Sequence, residues 1–290
     1  MGPLFILGNP RSGTSLLRLI LTSHSKVLIP PECGFIIWLQ NKYFDWQSSD
    51  NNLRSRREAF LKDLSESRKF EIWSLDVKLL EEIILANQPD NYGELCALVY
   101  SAYGRSREVK YDIWGDKNNF HIHYLNELHS IYPKSRMLHI VRDGRDVACS
   151  YQEVMESKFN NPYAPKLSTG ISEIAREWSN NVQKVNQFLT SLPEMDGMTI
   201  RYEDLVQKPA ETVHSICSWL GIHFEETMLH FYHKNALEKM EPDQTMDWKK
   251  RTKQPISGET VGRYLNLLSS KDQELFLQFA SNELGLFKYL

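Results

Sequence analysis

The first segment that could do chemistry is a glycine-containing loop directly after a short apolar run. Residues 8–15 nearly match the phosphate-binding pattern GxxxxGK[ST], whose backbone amides and following helix N-terminus bind anions. Thr14 stands where nucleoside triphosphatases have the lysine that reaches the β- and γ-phosphates. Arg11 supplies a cation inside the loop instead, and a guanidinium can bind an anion through two hydrogen bonds. The loop predicts an anion site, with an ordinary strand-to-helix turn as the alternative.

A second candidate anion site comes much later in the chain. Arg142 directly follows the apolar run from Met137 to Val141, and a helical pattern opens at Arg145. If Arg142 ends a strand, Ser150 lies about two turns into that helix. Whether both side chains reach one phosphate depends on the fold. The alternative interpretation is that Asp143 caps the helix and the arginines are surface charges.

Apolar strands and amphipathic helices alternate along the chain and must position these two loops. Strands are predicted over Leu4–Leu7, Met137–Val141 and Met198–Tyr202. Helices are predicted over Thr14–Ser23, Arg54–Leu64, Leu79–Ala86, Tyr92–Ala102, Arg145–Met155 and Ile171–Leu189. This alternation predicts an α/β fold with a parallel central sheet flanked by helices. Ligands of such folds bind at the carboxyl ends of the strands, where Arg11, Arg142 and Glu203 are expected to meet.

The C-terminal third carries recognisable helix ends. Pro209 suits the first position of a helix, and Gly221 suits the position after its end. Ser270 and Gln273 fit a capping box before an apolar stretch that starts at Leu275.

Composition excludes several classes of protein. The 290 residues are 41% hydrophobic and 24% charged, as in ordinary soluble domains, and the net charge of −3 gives no general attraction for nucleic acid. No apolar run approaches the roughly 18 residues of a membrane span. The four cysteines lack the spacing of a metal site or a disulfide framework. We therefore expect one cytoplasmic domain over residues 1–290, or a soluble catalytic region excised from a longer chain, with a mainly helical segment at about 35–110.

Four segments, in order along the chain, resemble the landmarks of one enzyme family. Pro10–Leu17 looks like the 5′-phosphosulfate loop of sulfotransferases that use 3′-phosphoadenosine 5′-phosphosulfate (PAPS). Val141–Val147, with Ser150, looks like their 3′-phosphate site. Arg201–Leu205 resembles a segment whose tyrosine lies near the adenine, and Gly262–Tyr264 one that closes over the nucleotide. The resemblance spans nearly the whole chain and implies the P-loop-like sulfotransferase fold.

The resemblance also implies an activity, which is transfer of a sulfonate group from PAPS to a hydroxyl acceptor, with PAP as product and no metal. The implied nucleotide-binding residues are Arg11, Ser12, Gly13, Thr14, Ser15, Arg142, Ser150, Tyr202 and Arg263. The sequence Pro30-Pro31-Glu32 is similar to the tyrosylprotein and bacterial polyketide-associated branch, in which a glutamate at this place is the catalytic base. The implied catalytic residues are Glu32 as base, Lys117 near the bridging oxygen, and Arg11 and Ser15 at the 5′ end.

Each of these residues has an ordinary structural alternative. Glu32 could be a solvated loop carboxylate, whereas as a base in a partly desolvated cleft it is expected to have a raised pKa. Lys117 could be a surface loop lysine, Tyr202 a core aromatic residue at a strand end, and Arg263 a surface charge. The basic run from Lys249 to Lys253 is interpreted as a solvated face.

Two other functions stay open at this level. A P-loop kinase-like phosphotransferase is disfavoured by Thr14 and by the lack of an evident magnesium carboxylate. A non-catalytic nucleotide-binding module on the same fold would bind nucleotide without turnover. The acceptor is not readable, because aromatic residues such as Trp38 and Trp46 suit either an apolar acceptor or a core. No nucleic-acid partner is expected, and the oligomeric state is open, a homodimer being one option.

Overall fold

A central parallel sheet organises the chain, of which this computed structural model describes residues 2–290. Its strands are β1 (Leu4–Leu7), β2 (Val27–Leu28), β3 (Ile113–Lys117), β4 (Arg136–Val141) and β5 (Gly197–Arg201). Their spatial order is β2-β3-β1-β4-β5, and each neighbouring pair is parallel. The α/β fold with a parallel central sheet is therefore confirmed.

Helices cover both faces of the sheet. They are α1 (Thr14–Thr22), α2 (Phe35–Trp38), α3 (Gln40–Tyr43), α4 (Leu53–Ser65), α5 (Val77–Asn87), α6 (Tyr92–Ser106), α7 (Leu125–Ile131), α8 (Gly144–Glu156), α9 (Ile171–Thr190), α10 (Tyr202–Gln207), α11 (Pro209–Leu220), α12 (Phe231–Glu238), α13 (Tyr264–Leu267) and α14 (Ser270–Leu286). Short 3-10 helices lie at Phe70–Trp73, Asn119–His123, Glu226–Met228, Asp243–Trp248 and Lys250–Lys253. We call residues 35–106, which hold α2 to α6, the helical segment.

Strand β1 lies in the middle of the sheet and packs against both helical layers. Successive residues of a strand point to opposite faces, so a strand covered on both faces must be apolar throughout. Leu4 and Ile6 are buried with side chains of α1 and α11 on one face. Phe5 and Leu7 are buried with the helical segment on the other face. The apolar run at the start of the chain thus places the phosphate-binding-type loop at the centre of the molecule.

The sequence patterns did not predict two of the strands. Strand β2 has only two residues, which is too short for a periodicity signal. Strand β3 ends with Gly115, Asp116 and Lys117, a composition more typical of a loop, yet all three are buried and paired with β1. The end of this strand therefore carries an aspartate and a lysine into the interior.

Several predicted boundaries of strands and helices differ from the structure, and two of the differences change the role of a residue. Strand β5 ends at Arg201, and Tyr202 is the first residue of α10 rather than the last of the strand. The cap of α14 is Ser269, whose hydroxyl accepts from the Asp272 backbone nitrogen at 3.1 Å. Gln273 instead donates to the carbonyl oxygen of Leu268 at 3.0 Å. The helix from Pro209 to Leu220 begins and ends as predicted, with Gly221 in the left-handed conformation.

Within residues 2–290, no helix combines the length and the apolar character that crossing a lipid bilayer requires.

Candidate active site

The loop between β1 and α1 takes a path that depends on its glycines. Gly13 has φ of 95°, in the left-handed region that favours glycine, and a Cβ there would lie 2.5 Å from the Tyr202 ring. A Cβ at Gly8 would lie 2.8 Å from the Ile140 carbonyl oxygen. Arg11 also has a positive φ, of 67°. The loop is thus pressed against β4 and the start of α10.

The two predicted anion sites lie side by side in the structure. Arg11 donates from Nε to Ser150 Oγ at 3.0 Å and from Nη1 to the Trp248 carbonyl at 2.8 Å. Arg142 donates from Nη1 to the Arg11 carbonyl at 3.2 Å. Burial, helped by the charge of Arg142, lowers the pKa of Arg11 to about 10, so the Arg11 guanidinium is still charged at neutral pH. Two arginines at one cavity favour an anionic ligand with more than one charged group.

Arg142 lies over the face of the Tyr202 ring, 4.6 Å from its centroid. The Tyr202 hydroxyl is 2.7 Å from Thr260 Oγ1, and Arg142 Nη2 donates to the Thr260 carbonyl at 2.6 Å. Arg142 Nε is buried without a hydrogen-bond partner in residues 2–290. Because an unpartnered buried donor is costly, this nitrogen is ready for a ligand acceptor.

The segment near residue 263 closes this end of the cavity. The Asp146 carboxylate accepts from the backbone nitrogen of Gly262 at 2.7 Å and from that of Tyr264 at 3.0 Å. Arg263 pairs with both carboxylate oxygens of Glu153, at 2.5 and 3.1 Å. Arg263 therefore lines the cavity while Glu153 holds its guanidinium in place.

Glu32 and Lys117 meet at the other end of the cavity. Lys117 is the last residue of β3, its side chain is 1% exposed, and its ammonium contacts Glu32 Oε1. The same Nζ donates to Ser15 Oγ on α1 at 3.2 Å. The interpretation of Lys117 as a surface lysine is thus wrong, because strand β3 carries it into the interior. Base candidate, cation and loop hydroxyl are in direct contact.

The expected raised pKa of Glu32 was wrong. Burial alone would raise it, but the ammonium groups of Lys117, Lys249 and Lys69 hold the pKa of Glu32 well below its ordinary value. Burial lowers the pKa of Lys117 to about 8, although Glu32 opposes this decrease. Glu32 is therefore ionised throughout the neutral range.

The interpretation of the basic run as a solvated face fails for its first residue. Lys249 has a side chain only 10% exposed, and its Nζ lies 2.6 Å from Glu241 Oε1 and 3.7 Å from Glu32 Oε1. Glu241 is itself buried and accepts from Arg18 of α1 at 2.7 Å. Lys250 and Arg251 are exposed, as the sequence suggested.

A cavity of about 600 Å³ joins both ends. Its lining includes the predicted site residues Arg11, Gly13, Thr14, Ser15, Glu32, Arg142, Ser150, Tyr202 and Arg263. Ser12 and Lys117 lie just behind the lining, and the buried Ser12 hydroxyl has no partner in residues 2–290. Thr14 donates to Asn119 Oδ1 at 3.1 Å. In the same residues, no cluster of histidine, cysteine or carboxylate side chains has the arrangement of a metal site.

Comparison with known proteins identifies the family. A model of the "Sulfotransferase family" matches residues 3–226. The chain belongs to the sulfotransferase family. Protein-tyrosine sulfotransferase 2 of Gallus gallus is 25% identical over 230 residues, which are 78% of this chain and 53% of that protein. The chain thus spans about half the length of this relative.

Solved sulfotransferase structures share the fold. The match to the sulfotransferase domain from the curacin biosynthetic pathway covers 96% of this chain and 96% of that domain, with a TM-score of 0.58 at 21% identity. The match to the sulfotransferase domain of the Synechococcus PCC 7002 olefin synthase covers 96% of this chain and 94% of that domain, with a TM-score of 0.59 at 19% identity. The predicted P-loop-like sulfotransferase fold is therefore confirmed.

Sequence reasoning missed several polar residues of this family member's cavity, among them Lys69, Lys249 and Thr260. None of these three belongs to a local motif. Lys69 lies 37 residues from its partner Glu32, and Thr260 lies 58 residues from its partner Tyr202. Only Lys249 gave a signal, as part of a basic run, and that run did not indicate a buried carboxylate nearby.

The buried carboxylate of Glu241 should stabilise the cavity wall in a pH-dependent way. Glu241→Gln leaves Arg18 without its carboxylate partner and Lys249 with only the more distant Glu32, which should lower the free energy of unfolding by about 3–5 kcal/mol near pH 7. Neighbouring cations lower the pKa of Glu241 to about 2, against the opposing effect of its burial. Its contribution is therefore complete above its unfolded pKa of about 4.3 and is lost as the pH falls through about 2.

Urea denaturation of wild type and Glu241→Gln at a series of pH values checks this. The difference in the free energy of unfolding between wild type and Glu241→Gln, the stability gap, should stay constant down to about pH 5 and become smaller below it. Glu238→Gln, at an exposed position of α12, serves as control and should change stability by less than about 0.5 kcal/mol. A gap that is absent near pH 7, or that does not narrow in acid, contradicts the assignment.

Proposed function

We propose that the protein transfers a sulfonate group from PAPS to a hydroxyl acceptor. The observation that carries the proposal is the contact of Glu32, Lys117 and Ser15 at one end of a cavity whose other end holds Arg142 and Ser150. A base, a buried cation and a loop hydroxyl suit group transfer at that end. Arg142 at the opposite end and Arg11 in the loop between the two ends suit a nucleotide that has phosphates at both its 3′ and 5′ positions.

The residues at the cavity fit this donor. Arg142 would hold the 3′-phosphate, with its unpartnered Nε available for one more acceptor, and Ser150 lies within reach of the same region. The loop amides, Arg11 and the unpartnered Ser12 hydroxyl would hold the 5′ end. Tyr202 and Arg263 also line this end of the cavity, where the face of the Tyr202 ring packs against the Arg142 guanidinium. Complexes with PAP are known for a mouse sulfotransferase of the same fold.

When bound, PAPS supplies an activated sulfonate: the acceptor oxygen bonds to sulfur as the sulfur–oxygen bond to the 5′-phosphate breaks, leaving the electron pair on that phosphate oxygen. Glu32 takes the hydroxyl proton and later returns it to solvent. Lys117 holds its ammonium between Glu32 and Ser15, where it stabilises negative charge on the leaving oxygen.

The acceptor is proposed to be a hydroxyl group, and a tyrosyl hydroxyl is the first to test because several relatives are named protein-tyrosine sulfotransferases. An aliphatic alcohol is the matched comparison, since both present an O–H to the same carboxylate. We propose that a single domain carries the whole site, because the cavity lining runs from Pro10 to Arg263.

The nucleotide assignment predicts selective stabilisation by PAP. At a concentration about 100 times its Kd, PAP should stabilise the folded protein by about 2.7 kcal/mol and raise the thermal midpoint by several degrees. Arg142→Ala removes charged hydrogen bonds worth about 1.5–3 kcal/mol and should weaken PAP binding roughly 10- to 100-fold.

Differential scanning fluorimetry with PAP and with magnesium ADP measures these effects. Arg176→Ala, an exposed arginine of α9 outside the cavity lining, should respond to PAP like the wild type. A clear response to magnesium ADP with none to PAP would contradict the donor assignment and favour the kinase-like alternative.

The pKa of Lys117 predicts the alkaline limit of activity. Because burial lowers this pKa to about 8, the ammonium is present below that pH and lost above it. Sulfonate transfer should therefore fall as the pH rises through about 8. In Lys117→Arg the side chain stays charged, since the guanidinium pKa exceeds about 12, and the alkaline limit should move upward.

Rates with PAPS and a saturating aliphatic alcohol, which does not itself titrate in this range, measure this limit. PAP binding by Lys117→Arg provides the control for an intact fold. An alkaline limit at the same pH in both proteins contradicts the assigned role of Lys117.

A further inference from the structure

The three ammonium groups around Glu32 differ in what else they contact. Lys117 also donates to Ser15, and Lys249 also contacts Glu241 at 2.6 Å. Lys69 Nζ contacts Glu32 Oε2 at 2.7 Å and has no second polar partner in residues 2–290. Of these three lysines, Lys69 is the one whose ammonium group has Glu32 as its sole polar partner in residues 2–290.

The backbone around Lys69 is fixed, whereas its side chain is able to move. Lys69 stands between α4 and the 3-10 helix Phe70–Trp73 with φ of 70°. The Trp73 indole donates to the Pro31 carbonyl at 2.9 Å, which ties this 3-10 helix to the loop that carries Glu32. The Lys69 side chain is 17% exposed and lines the cavity. A lysine side chain has several rotatable bonds, so it can leave the carboxylate without any backbone change.

The position of Lys69 conflicts with the action of Glu32 as a base. Lys117 engages Oε1 from the interior, which leaves Oε2 as the oxygen for an incoming hydroxyl. Lys69 occupies that oxygen from the helical segment. An acceptor hydroxyl that approaches Oε2 therefore competes with the Lys69 ammonium for this oxygen, and the carboxylate becomes a stronger base once that ammonium has left.

We propose that Lys69 is a positioning residue that covers Oε2 of Glu32 until the acceptor hydroxyl displaces it. The inference rests on the proposed function, in which Glu32 is the base. While Lys69 is paired, the carboxylate is a weak base and does not activate water that enters the cavity. When the acceptor replaces Lys69, the carboxylate loses one neighbouring cation as the hydroxyl arrives, so base strength rises only when transfer can occur.

The reaction that Lys69 suppresses is hydrolysis of the donor. In that reaction the water oxygen bonds to sulfur, and the sulfur–oxygen bond to the 5′-phosphate breaks with its electron pair on the phosphate oxygen. A water proton goes to Glu32 and then to solvent, so the products are sulfate and PAP. Lys69→Met should speed this acceptor-free reaction.

Other charged or titratable groups also face Glu32, and they are common to all the variants. Lys117 and Lys249 are its direct neighbours. Asp116, His121 and Glu241 lie beyond these two lysines.

The direct test is the titration of Glu32 in protein without ligand. The protein is labelled with 13C at the glutamate carboxyl carbons, and the Glu32 resonance is identified by its loss in Glu32→Gln. The titration midpoint should rise in Lys69→Met and return to the wild-type value in Lys69→Arg. Lys62→Met removes an exposed lysine of α4 in the same helical segment and should leave the midpoint unchanged.

Acceptor-free release of sulfate from PAPS is the second measurement. It should rise on the order of 10-fold in Lys69→Met, a part of the roughly 10²–10⁴-fold effect of a positioned base. It should stay at the wild-type rate in Lys69→Arg and Lys62→Met. An unchanged Glu32 midpoint together with a raised KM for the acceptor would assign Lys69 to acceptor binding and overturn the inference.

Failure of the proposed sulfonate transfer and failure of the inference about Lys69 would give different experimental results. If the wild-type protein neither transfers sulfonate nor binds PAP, the proposed function is wrong and the inference falls with it. If the wild type transfers sulfonate but Lys69→Met changes neither the Glu32 midpoint nor sulfate release, the inference alone is wrong.

Discussion

A buried ammonium group requires a nearby anion, and Lys117 imposes this requirement on the whole site. Strand β3 carries Lys117 into the interior beside β1, where water cannot solvate its charge. Glu32 supplies the anion, and the loop that holds Glu32 is fixed by Trp73. Lys249 extends the alternation of charge to Glu241 and Arg18, so the wall of the cavity is a chain of paired charges. The proposed base and its neighbouring cation are thus positioned by the same pairing that makes their burial tolerable.

The end of the cavity at which we propose nucleotide binding depends on close packing as well as on the charge pair between Arg263 and Glu153. Gly13 leaves room for the Tyr202 ring, and that ring supports the guanidinium of Arg142. Thr260 bonds both of these side chains, and Asp146 fixes the backbone that follows it. Segments far apart in the sequence therefore form one anion site, and no single local motif defines it.

The sequence predicted what is local and missed what is long-range. The apolar run, the glycine loop and the helices after them follow from residue spacing, and they fixed the fold class and the place of Arg11 and Arg142. Strand β3 escaped prediction because its charged residues hide the pattern of a buried strand. The pKa of Glu32 was expected to rise because burial was considered without the lysines that the fold brings to it. Lys69 and Lys249 reach Glu32 only through tertiary structure, so no sequence spacing indicated them.

Glu32 is proposed to take the acceptor proton and not to bind the nucleotide. Wild type and Glu32→Gln are compared in PAP affinity and in the transfer of labelled sulfonate from PAPS to a tyrosyl or alcohol acceptor. We expect similar PAP affinity and a loss of transfer of about 100-fold or more in the variant. Transfer at the wild-type rate by Glu32→Gln would show that Glu32 is not the base.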